Sequence, residues 1–243
     1  MGSGYYAAAT ALVARTQELD TIANNLANIS TIGYRGEKEA FRSVLADAGT
    51  GSDLNRAINN YAVLTGTSLD LSQGALQKTG NELDLAIQGP GYFVVQTAKG
   101  NVYTRDGSFQ VSAKGQLATP AGDPVLGASG PITLLPGPVS FSADGTISSQ
   151  GALSGKLQIV EFPAGTQIES LGGTYYTAPS ASAQPATASK LRQGFLEGSN
   201  VSPILSMVQL VELQRSDEMM QRAMAMFNSE MDKTATQDLP KVG

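Results

Sequence analysis

The chain has 243 residues, with 16 Lys plus Arg against 21 Asp plus Glu, and contains no His, no Cys and no Trp. Disulfides, thiolate nucleophiles and zinc ribbons are thereby excluded, as are the commonest general base, the commonest metal ligand and any Ser-His-Asp chemistry. A net charge of −5 argues against a nucleic-acid partner, whose binders present a basic face, while 41% hydrophobic residues against 15% charged suffice to bury a core.

Residues 5 to 29 predict a helix, because Tyr5, Leu12, Leu19 and Leu26 recur every seven residues and Ala8, Ile22 and Ile29 follow three positions later. This is the a/d spacing of a helical seam, broken only by Arg15, with Gly33 as the stop. The apolar run YYAAATALVA ends at Arg15, well short of the ~20 residues that span a bilayer, so no membrane insertion is expected. It has no basic residue upstream and no small-residue cleavage site, so a cleaved secretory signal is not expected either.

Residues 46 to 80 are rich in Gly, Ser, Thr and Asn with weak periodicity and read as connector, which places a connector at 36–80 after a first helical segment at 1–35. From residue 81 the apolar period changes to two, and turn signals recur at Lys99-Gly100-Asn101, Asp106-Gly107, Lys114-Gly115, Gly122-Asp123 and Asp144-Gly145. Strands are expected at 83–87, 92–97, 102–104, 108–111, 116–118, 132–135, 139–142 and 156–162, giving an antiparallel β-domain over 81–197. A second helix over 198–243 repeats the seam with Leu210, Leu213, Met220, Met224, Phe227 and Met231, with Asp217 as its break and Pro203 near its start. The fold class is therefore α+β: N- and C-terminal helices forming a coiled-coil-like stalk, with the β-domain inserted between them.

Antiparallel pairing sets Tyr5 opposite Phe227, Ala8 opposite Met224, Leu12 opposite Met220, Leu19 opposite Leu213 and Ile22 opposite Leu210. In that register the two charged seam residues, Arg15 and Asp217, face each other, an arrangement that fixes register at some cost in stability. Catalytic and metal motifs fail in turn. Glu82 and Asp84 are the wet reverse of a strand whose buried face is Leu83, Leu85 and Ile87, and Asp106, Asp123 and Asp144 sit at turns that favour Asp for backbone reasons. Gly89-Pro90-Gly91 precedes a strand, so no helix N-terminus is there to hold a phosphate. No cofactor and no metal site is expected.

Three stretches together resemble one family. IANNLANISTIGYR (22–35) resembles the N-terminal signature of bacterial flagellar rod and hook axial proteins, the block from Leu83 to Gly127 their shared β-region, and GFLEGSNVSPILSMVQLVELQRSDEMMQRAMAMF (194–227) their C-terminal signature. The short middle is more like the rod proteins than the hook protein. The resemblance implies a structural subunit without enzymatic activity, exported unfolded through the flagellar type III apparatus, that joins copies of itself and other axial proteins in a hollow rod crossing the periplasm. The interface it implies uses Leu12, Arg15, Leu19, Ile22, Leu26 and Ile29 with Leu210, Leu213, Asp217, Met220, Met224 and Phe227. A secreted carbohydrate-binding or carbohydrate-active β-protein, resting on Glu82, Asp84, Tyr92 and Tyr103, is the competing class.

The register is testable: with cysteines at positions 19 and 213, oxidation is expected to cross-link the two helices, and failure to do so within or between subunits rejects it.

Overall fold

The computed structural model describes residues 2–45 and 60–237. The described chain divides into two units. One takes the described parts of 1–26, 39–67 and 202–243 and carries both long helices; the other takes 27–38 and 68–201 and carries most of the strands.

In the helical unit, α1 spans Gly2–Ala27 and α2 spans Pro203–Gln237. The alanine-rich opening of α1 has high helix propensity. At the start of α2 the Ser202 carbonyl accepts the first intrahelical bond from the Ser206 N–H at 3.0 Å, which leaves Pro203 at the first helical position, where its missing N–H costs nothing. Within the stretch read as connector, Glu37–Leu45 and Asn60–Leu69 form a two-stranded sheet.

In the β-unit a six-stranded sheet has the order Glu169–Gly172, Tyr175–Thr177, Gly100–Thr104, Tyr92–Thr97, Ile159–Glu161 and Gln184–Pro185. A three-stranded sheet is built from Val139–Phe141, Thr146–Ser149 and Ala152–Lys156. In the β-unit every strand pair among the described residues is antiparallel, as alternation with tight turns requires. The run Tyr92-Phe93-Val94-Val95 is buried on both faces, and its period of two splits it between two cores. Phe93 joins Leu85, Ile87, Phe109, Phe141 and Ile147 in one, edge-on to Phe109 at 5.0 Å; Tyr92 and Val94 join Tyr103, Val160 and Tyr176 in the other.

Two strand expectations are corrected. The stretch 156–162 is not one strand: the Leu157 N–H bonds to Gly145 and the Gln158 N–H to Leu126, so the chain passes from the three-stranded sheet to the six-stranded one between them. Residues 132–135 form only a bridge, Thr133 to Gln116. The unit is closed by two pairings of distant segments, Lys190–Gln193 on Leu85–Gln88 and Phe195–Glu197 on Leu76–Lys78.

Candidate functional site

The interface positions expected from the sequence are distributed by burial along the two helices. On α2, Leu213 is buried to 3% exposure, and Leu210, Asp217 and Met220 are half-buried; on α1, Ile22 is buried and Arg15, Leu19 and Leu26 are half-buried. Ile29 is half-buried in the turn that follows α1, and the side chains of Leu12, Met224 and Phe227 lie outside the described residues. Arg15 and Glu18 share a cleft of about 350 Å³ with Gln209, Glu212, Leu213 and Ser216, which brings the two helices side by side there.

Arg15 does not meet Asp217. Its Nη1 lies 2.7 Å from Glu18 Oε2 on its own helix, and Asp217 Oδ1 is buried without a hydrogen-bond partner among the described residues. A partner three residues away on the same helix needs no alignment between helices, and it wins the guanidinium.

The densest chemistry in the chain lies elsewhere, in the β-unit, where Arg35, Arg105 and Glu197 are all buried. Glu197 Oε1 lies 2.7 Å from Arg35 Nη2, a charge contact without hydrogen-bond alignment, and accepts the Gly74 N–H at 2.9 Å. Its Oε2 accepts from Arg105 Nη1 at 3.3 Å. Arg105 Nη2 donates to the Gly89 carbonyl at 2.7 Å, and its guanidinium lies 4.7 Å from the Tyr92 ring centroid, so the ring face shares the positive charge. Arg35 Nε and Nη1 and Arg105 Nε have no hydrogen-bond partner among the described residues.

Backbone contacts stitch the same place. The Gly33 N–H donates to the Glu197 carbonyl at 2.7 Å, the Arg35 N–H to the Tyr176 hydroxyl at 2.8 Å, and that hydroxyl in turn donates to the Gly33 carbonyl at 3.2 Å. Asn200 accepts the Gly36 N–H at 2.7 Å and donates to the Asp70 carbonyl at 2.8 Å. Gly33 has a φ of +71°, and a Cβ there would collide with the backbone of Arg105 and Asp106; a Cβ at Gly74 would collide with the Gly198 carbonyl. Segments 33–36, 74, 105 and 197–200 thus cross at one point.

Burial sets the titration of this region. Burial, opposed by the Glu197 charge and reinforced by Arg35, pulls the Arg105 guanidinium below its ordinary value. Burial, then the Glu37 charge, pushes the Tyr34 hydroxyl up to about 12, and burial also raises Tyr176. Asp106 is raised by burial, against hydrogen bonds from Ser108 and with a contribution from Asp84.

Arg35, Arg105 and Glu197 carry no role in the motifs and periodicities of the sequence. The available signal was that one of the three falls in each of the three blocks, at IGYR, YTRDGSF and GFLEGSN. Asp84, expected on a wet face, is buried and held by the Asn81 amide at 3.0 Å. Tyr92 and Tyr103 are core residues, packed edge-on against Phe162, so neither is a platform for a sugar ring. Among the described residues no group of three or more His, Cys, Asp or Glu could hold a metal ion, and no helix is long and apolar enough to cross a membrane.

Three family descriptions match the chain in order. Residues 6–35 match "Flagella basal body rod protein", 86–154 "Flagellar hook protein FlgE/F/G D1 domain" and 192–237 "Flagellar basal body rod FlgEFG protein C-terminal". The chain is 34% identical to the flagellar basal-body rod protein FlgF of Caulobacter vibrioides over 100% of both chains, and 36% identical to FlgF of Mesorhizobium japonicum over 90% of each. It is 33% identical to the flagellar basal-body rod protein FlgG of Buchnera aphidicola over 96% of this chain and 95% of that one.

Replacing Glu197 by Gln strands two buried guanidinium groups and is expected to cost ~3–5 kcal/mol of unfolding free energy in urea. Adding Arg35→Met to it should cost less than the two single losses together, because the three charges form one network. Alkali gives a second test. Since the folded Tyr34 value lies above the unfolded one, its contribution to stability is complete below pH ~10 and is lost as pH rises through about 12, so the urea midpoint should fall across that window.

Proposed function

The chain belongs to the flagellar basal-body rod protein family, and we propose that its terminal helices pair as a coiled-coil-like stalk through which it assembles into a hollow, torque-carrying shaft. It is a structural rod subunit and not an enzyme, of the F-type and next the G-type. The carbohydrate reading has no support. The observation that carries the conclusion is the full-length similarity to FlgF, with all three family segments in order.

The stalk reading is supported by the stepping of covered positions along α2 at Ser206, Leu210, Leu213, Asp217 and Met220, alternately four and three apart. In this reading the interface residues act in two ways. Ile22 and Leu213, already covered, hold the helices of one subunit together, while Val13, Leu205, Met207 and Val208, each about half exposed or more, are left for neighbours. A Met-rich surface suits this, because its flexible thioethers adapt to neighbours of differing shape. Repeated contact between unlike surfaces gives an open helical lattice, as a rod requires. The proposed partners are copies of the chain and other axial proteins, and the proposed route is export unfolded through the flagellar apparatus, without a cleaved signal, into a rod that crosses the periplasm. The proposed domain limits are 1–35, 36–80, 81–197 and 198–243.

Deleting residues 1–30 tests the reading. A rod subunit so truncated is expected to leave cells without rods in isolated basal bodies and unable to swim; normal swimming by cells carrying only the truncated chain rejects it.

A further inference from the structure

The α2 helix has two faces, and the pairing within the chain uses only one. About half a turn from the covered stripe lie Ile204, Val208, Val211, Arg215, Met219, Arg222 and Met226, at helical spacing and all exposed. Five of these seven are apolar, which marks a helix built to be covered on two sides. The two arginines select what can cover it. Arg222 lies 3.5 Å from Glu218 on its own helix, whereas Arg215 has no ion pair among the described residues. Laying α2 of one copy on α2 of another along this stripe offers Arg215 no free carboxylate, because Glu218 is already engaged by Arg222, so self-pairing leaves Arg215 uncompensated and is disfavoured. A helix with a negative outward face suits it.

The chain carries such a helix. On α1 the positions turned away from the covered stripe, Val13, Gln17, Asp20, Asn24 and Ala27, step by four and three and are all exposed. Asp20 is their only charge; Arg15 and Glu18 neutralise each other nearer the covered side. We infer that the outward face of α2 seats the outward face of α1 from a second copy of the chain, with Asp20 of one copy against Arg215 of the other; this rests on the rod-subunit reading. The two faces lie on opposite sides of the helix pair and cannot meet within one chain. Their contact is therefore heterologous, and each copy that docks offers a fresh α2 face to the next. The apolar residues of the stripe supply contact area, and the arginine stems extend it while their charged ends set the register.

The absence of cysteine permits a direct test in cells that lack their own copy of the gene. D20R and R215E are each expected to lower swimming speed at least tenfold, and the two together to restore it to within twofold. Circular dichroism of the purified variants should match the unsubstituted chain, as it must for exposed positions. In basal bodies from cells that co-express D20C and R215C subunits, oxidation should give a disulfide-linked dimer that neither variant gives alone. Normal swimming by either charge reversal, or loss of swimming by both with neither rescue nor dimer, overturns the pairing and leaves the rod reading standing. A cross-link from R215C to a different rod protein gives that protein the seat and also overturns it. If the unsubstituted chain fails to restore swimming, the rod reading falls and takes this inference with it.

Discussion

Glu197 is the residue on which the β-unit is assembled. A carboxylate taken out of water is costly unless charge and hydrogen bonds replace its hydration, and here two guanidinium groups and the Gly74 N–H do so. What it gathers is more telling than what it contributes in energy. Arg35 belongs to the segment leaving the first helix, Arg105 to the end of a central strand, and Glu197 itself to the segment leading to the second helix. The segment that follows the first helix and the segment that leads to the second are thereby bound to one point, through Gly33 on Glu197 and Gly36 on Asn200.

The glycines are part of the same solution. Gly33 and Gly74 allow backbone to lie directly on backbone, and the absence of a side chain at each is what lets the charged groups reach one another. The cluster carries one more positive than negative charge, and four of its nitrogens lack a hydrogen-bond partner among the described residues, which marks it as a register device more than a source of stability.

The helices follow a different logic. Each has a covered stripe and an exposed one, and the exposed stripe of α2 is largely apolar. Low charge over the chain belongs with this: a surface destined for contact with copies and relatives has little use for solvating charge. The missing His, Cys and Trp fit the same picture, since a passive shaft needs no reactive group.

How much was legible depended on the distance over which the deciding interaction acts. Heptad spacing in α1 and α2, alternation at Tyr92-Phe93-Val94-Val95 and the turn glycines are set by local sterics and burial, which neighbouring residues display, so the α+β class and most central strands could be read directly. The strands at 146–149, 175–177 and 190–193 were not read, because their small or polar residues are strands only through the partners they find. Arg15 shows the same limit on a helix: its seam position was evident, but its choice of Glu18 over Asp217 depends on side-chain reach. The periodicities, the excluded chemistry and the three family segments are all written in the order of residues along the chain. That Arg35, Arg105 and Glu197 are one group emerges only in the folded chain, because charges separated by scores of residues acquire a common energy only when folding removes the water between them.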